Sequence, residues 1–225
     1  MKVRSAFAIA ALTTIMAGLA AGCSDDQSAK AGETAAKAGV ATQAVDCSTP
    51  PEGDATAALI CSDPGLVALD QEAARLFKLV RSKSGSAEAG RRWEQTRSQC
   101  EKADSRRDCL VSAYAEHIRS LRSANANDAH RDDGGFSSGP FLLACNGDGR
   151  QISVTYMGTN PAIAYITSGG KGLVFERSQS SAVLGQKYEA VAGTGDGTLY
   201  TYEDQTLLTL PGEKELSCEV QPGKH

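Results

Sequence analysis

Cysteine placement constrains this chain more than any other feature. Of its 225 residues seven are Cys, and six of these, Cys47, Cys61, Cys100, Cys109, Cys145 and Cys218, lie beyond residue 46. An even set of six in an oxidising compartment reads as three disulfides. No two form a Cys-x-x-Cys pair, and His117, His130 and His225 are scattered, so the pattern is not that of a metal site and none is expected. No cofactor is expected either.

The first residues supply the oxidising compartment. Met1-Lys2-Val3-Arg4 is a basic start, Ala6 to Ala21 is an apolar run, and Leu19-Ala20-Ala21-Gly22-Cys23 is an exit of small residues. That is the layout of an export leader, and the run is shorter than the ~20 apolar residues of a spanning helix. The exit resembles a bacterial lipobox, which implies that 1–22 is a lipoprotein signal peptide and that Cys23 is acylated. Ser24 following Cys23 implies the outer membrane. The expectation is a periplasm-facing protein whose contact with a membrane is the lipid anchor alone. Losing Lys2 and Arg4 with the leader takes the formal charge from −4 to −6, which argues against a nucleic-acid partner.

Composition and periodicity then divide the remainder. Residues 23–45 are Ala, Gly, Lys, Thr and Gln with almost no bulky side chain, too little apolar surface to offset ordering, and read as a disordered tether. Residues 46–122 carry a helical period. Asp63-Pro64 is an N-cap followed by Pro at the first helical position, and Leu66, Leu69, Ala73, Leu76, Phe77 and Val80 recur at three- and four-residue steps. A second helix is expected over Ala87–Cys100 with Trp93 as its core anchor, and a third over Cys109–Arg122. Residues 123–139, rich in Asn, Asp, Gly and Ser, read as a linker.

From residue 140 the period changes to short β-rich runs, from Phe141–Cys145 and Ile152–Tyr156 to Leu207–Leu210 and Leu216–Val220. They are separated by turn signals such as Asn146-Gly147-Asp148-Gly149, Asn160-Pro161 and Ser168-Gly169-Gly170. Gly193-Thr194-Gly195-Asp196-Gly197 lies among these strands without a following helix, so it reads as a hairpin turn and not a nucleotide loop. The fold class expected is α+β in two domains: a disulfide-stapled domain of three to four helices, then a small antiparallel barrel of about eight strands. Cys145 and Cys218 fall in the first and last strands, where a bridge would tie the edges. Cys100 and Cys109 sit at the end of one helix and the start of the next. Pairing them leaves Cys47 with Cys61, although four cysteines allow three pairings. No nucleophile elbow is present and every one of the six Cys has a structural use, so the reading is a binder and not an enzyme.

Two resemblances sharpen this. Ile60-Cys61-Ser62-Asp63-Pro64-Gly65-Leu66-Val67-Ala68-Leu69-Asp70, with Trp93-x3-Arg97-x2-Cys100 and Cys109-Leu110-x3-Tyr114-x4-Arg119-x-x-Arg122, resembles the N-terminal domain of the LprI family of lysozyme inhibitors. An Asp70–Arg97 pair is expected to lock two of its helices. Cys145-x-Gly-Asp-Gly, Ile152-Ser-Val-Thr-Tyr156, Gly185-Gln-Lys-Tyr188 and Cys218 resemble the membrane-bound inhibitors of c-type lysozyme, small eight-stranded lipoprotein barrels.

The second resemblance implies inhibitory loops over Val183–Tyr188 and Tyr200–Asp204, with Leu184, Gly185, Lys187, Tyr188, Tyr202 and Glu203 as the candidates and Tyr202 and Lys187 foremost. Leu184 stands where that family has Ser, and Tyr202-Glu203 where it has Lys-Gly. The function implied is occlusion of the active-site cleft of a lysozyme-like peptidoglycan hydrolase, whether a host enzyme or a bacterial effector. In the second case the protein is an immunity protein. A third reading, from another class, is an envelope adaptor lipoprotein with no inhibitory role.

Overall fold

The computed structural model describes residues 43–50, 52–80, 86–124, 134–147, 149–179, 185–191, 195–203 and 205–221. The leader, Cys23, most of the tether, His130, His225, Val183, Leu184, Asp204 and the middle of the linker therefore lie outside the described residues.

Among the described residues four α-helices precede eight strands, in the order α1 (Ala55–Ser62), α2 (Pro64–Val80), α3 (Ser86–Gln99), α4 (Arg106–Ala124), β1 (Ser137–Cys145), β2 (Ile152–Met157), β3 (Ile163–Ser168), β4 (Lys171–Arg177), β5 (Gln186–Ala190), β6 (Thr198–Tyr202), β7 (Gln205–Thr209) and β8 (Leu216–Val220). The first two helix starts have a local cause. Asp54 caps α1 by accepting from Ala57 N at 2.8 Å, and Asp63 Oδ1 caps α2 by accepting from Gly65 N at 2.8 Å and Leu66 N at 3.2 Å. The apolar stripe of α2 and the facing side of α4 bury Leu66, Leu69, Leu76 and Phe77 against Leu110, Tyr114 and Ile118.

All three disulfides form: Cys47–Cys61, Cys100–Cys109 and Cys145–Cys218. The third joins residues directly opposite each other in the β1–β8 ladder, so it seals the point where the sheet closes on itself. The eight strands run antiparallel in sequence order around a closed barrel. Ile152, Val154, Ala164, Ile166, Phe175, Leu199 and Leu208 fill it.

The helices cover one wall of that barrel. Outward-facing Met157, Ile163, Tyr165 and Val174 belong to the same apolar cluster as α2 and α4. A buried polar lock holds the two parts together. Glu72, with its side chain 1% exposed, accepts from Arg75 Nε at 2.8 Å and from the Ser137 hydroxyl. Arg122 donates to Gly139 O at 2.8 Å and to Ser137 Oγ at 3.2 Å. Nearer the helix starts, Arg107 bridges Asp63 at 2.9 Å and Glu176 of β4 at 3.0 Å. One expected boundary moves: β1 begins at Ser137, inside the stretch read as linker, where Ser137 pairs with Met157 of β2 and its side chain joins this lock.

Two expectations about the helical part are also settled. Trp93 is buried, stacked on His117 (centroids 4.3 Å apart, planes 8°) and tilted against Tyr114. Asp70, however, does not pair with Arg97. Its carboxylate accepts from the Tyr114 hydroxyl at 2.7 Å and from Val45 N at 2.5 Å, while Arg97 pairs with Glu94 at 3.2 Å. The tyrosine between the two helices takes the place of the ion pair.

Candidate functional site

Among the described residues, no side chain of β5, β6 or β7 belongs to the apolar cluster that the helices build on the barrel. Successive side chains on each strand point to opposite faces of the wall, as in any antiparallel sheet. Tyr188, Leu199 and Leu208 point into the core. Lys187 faces Tyr200, and Tyr200 faces Leu207, in one outer row across the three strands. Tyr202 lies one step further along β6, opposite Gln205. Tyr200, Tyr202 and Leu207 are half-buried, so each presents a ring edge or aliphatic face to solvent.

The two expected loops thus meet. Gly185, at the start of β5, packs against the β6 backbone: it holds a φ of +94°, and a Cβ there would lie 2.5 Å from Thr201 O and 3.0 Å from the Tyr200 hydroxyl. Only glycine fits. Glu203 sits at the exposed β6–β7 turn with φ +47°.

Two candidates change their standing. Tyr188 shares the inward parity of β5; its ring is 4% exposed, and its hydroxyl donates to Gln186 Oε1 at 2.8 Å. Burial pushes its phenol up from the ordinary value, as it does for Tyr156, whose ring centroid lies 6.0 Å away and whose phenol rises to about 12. Tyr188 therefore belongs to the core and is withdrawn from the contact set. Lys187 does face outward, but its ammonium is paired with Glu189 at 2.7 Å, and that hydrogen bond holds the Glu189 carboxyl below its ordinary value. A partner's carboxylate would have to compete for it. Leu184 lies outside the described residues.

The sequence places Tyr200 in a candidate loop and Leu207 only in a strand, neither as a contact residue. Their signal was the alternation itself, Leu199-Tyr-Thr-Tyr202 and Gln205-Thr-Leu-Leu-Thr209, in which the off-parity residues are large. Two tyrosines beside a leucine form the kind of surface that protein interfaces favour, because Tyr supplies wide contact area at low entropic cost.

Among the described residues no group of three or more His, Cys, Asp or Glu is placed to hold a metal ion, and no helix is long and apolar enough to cross a membrane. No family model, no curated protein and no solved structure matches this chain.

Proposed function

We propose that this protein is a lipid-anchored periplasmic inhibitor of a lysozyme-like peptidoglycan hydrolase, acting by occlusion and carrying out no reaction of its own. The β5–β7 wall and the β6–β7 turn seat in the hydrolase cleft. The observation that carries this reading is the asymmetry of the barrel, in which helices cover one wall and the other offers Tyr200, Tyr202 and Leu207 in a contiguous patch. Those side chains are the anchors, with Lys187–Glu189 as a polar rim. An acidic mature chain would be steered toward a basic hydrolase.

One feature favours the immunity form of the same reading. Glu203 stands at the tip of the turn, where the lysozyme inhibitors that this barrel resembles carry Lys-Gly. A carboxylate delivered to a cleft lined with catalytic carboxylates is repelled, so the target is a hydrolase with a more basic rim than c-type lysozyme, as an antibacterial effector can have.

The test is a cell-wall clearing assay with the full chain in detergent, run against c-type lysozyme, g-type lysozyme and exported effector hydrolases. One enzyme is expected to lose turnover stoichiometrically. If every enzyme keeps its turnover and none co-elutes on gel filtration, the adaptor reading replaces inhibition.

A further inference from the structure

A second site lies on the other side of the molecule, where α4 passes the outer face of β1–β4. Leu142, Ser153, Thr167 and Gly172 are register partners in succession, so they form a single row straight across four strands. At ~4.8 Å per strand that row is about 14 Å long. Its side chains are short, and at its end the Tyr165 ring lies over Gly172, in space that any Cβ would fill. The floor is therefore low. One bank is α4, which sets Glu116, Arg119 and Ser123 on one face, and the far bank carries Arg150. The result is an open trough of about 700 Å³.

Its chemistry is polar but balanced. Arg119 donates to both oxygens of Glu116, at 3.2 and 2.8 Å, and Arg150 donates to both oxygens of Glu213, at 2.9 and 2.5 Å. Burial opposes charge on Glu116, yet hydrogen bonds from Arg119 and Tyr165 hold its carboxyl below the ordinary value. Each guanidinium thus already has its anion, which disfavours an anionic ligand. A peptide strand is disfavoured too, because a closed barrel offers no free edge to extend. What remains well matched is a neutral polyol. Ser153 Oγ and Thr167 Oγ1 share one hydrogen bond at 2.7 Å, so the pair keeps one hydroxyl hydrogen and several lone pairs to offer. Leu142, 41% exposed, supplies an apolar contact for a sugar's C–H face.

We propose that this trough binds a short neutral oligosaccharide, independently of the β5–β7 wall. The test is isothermal titration of the full chain, held in a zwitterionic detergent that carries no sugar, with chitotetraose, maltotetraose and trigalacturonic acid. At least one of the two neutral tetramers is expected to bind with a Kd of about 1 mM or tighter. Thr167→Trp, which raises the floor, and Arg150→Ala, on the half-exposed far bank, are each expected to weaken binding by about tenfold or more. Tyr202→Ala should leave it unchanged, which separates this site from the inhibitory one. The thermal transition of each variant shows that the fold is retained, and should Thr167→Trp fail to fold, Arg150→Ala decides. Binding of neither neutral tetramer, binding of the acidic trimer alone, or affinity that survives Arg150→Ala would overturn the proposal.

Discussion

The two walls of the barrel differ in how they bury their side chains, and the difference separates a wall that carries a second layer from one that does not. On the covered side, Ile152–Met157 and Ile163–Ser168 are buried at nearly every position, on both faces. On the bare side, Gln205–Thr209 alternates buried and open, and in Gln186–Ala190 Tyr188 alone is buried. A strand buried on both faces needs a second layer, and α2 and α4 provide it. An alternating strand needs none, so large side chains on its outer parity, here Tyr200, Tyr202 and Leu207, stand half-buried at the surface.

That contrast can be broken at the lock. Removing one member of a buried charged network strands the others, so Glu72→Ala is expected to cost about 3–5 kcal/mol in denaturant unfolding, with helices and barrel losing stability together. A barrel transition that stays put while the helical signal moves would show the two parts to be uncoupled.

The staples come next. Cys145 and Cys218 are 73 residues apart and Cys100 and Cys109 only 9, so replacing the first pair by Ala costs about 4 kcal/mol and the second about 3 in the chain-entropy account. Equal losses from both would remove loop length as the cause.

Acid should act on the covering helices. Burial beside Trp93 depresses the His117 imidazole to about 4 from 6.5. Between those values the unfolded chain takes up a proton that the native chain refuses, so stability falls as the pH drops from 6.5 towards 4, by about 3 kcal/mol in all. His117→Gln should flatten that part of the pH profile of unfolding, while an unchanged slope would place the acid sensitivity in the carboxylates. The smallest effect belongs to the bare wall. Tyr200→Ala and Tyr202→Ala should each change stability by less than about 1 kcal/mol while weakening a hydrolase complex by about 2 kcal/mol, as anchors do.

Much of this architecture was readable in advance because its signals are local. Asp63-Pro64 announces α2, the turn-forming pairs punctuate the strands, and cysteines at opposite ends of a β-rich region imply closure. What escaped was tertiary. Phe136-Ser-Ser-Gly-Pro140 has turn composition, yet Ser137 pairs with Met157 of β2 and its hydroxyl is held by Glu72 and Arg122, all distant in the chain. Asp70 and Arg97 carry opposite charges on neighbouring helices, but Tyr114 reaches Asp70 first. Gly185-Gln-Lys-Tyr188 falls at the start of β5, where parity decides which residues face out: Lys187 does and Tyr188 does not.

Hydrogen exchange on the full chain, with and without whichever hydrolase the clearing assay identifies, tests the central claim most directly. New protection is predicted along β5–β7 and the turn at Glu203, with the helices unchanged. Protection confined to α1–α4, with the bare wall exchanging as it does in the free protein, would contradict the account.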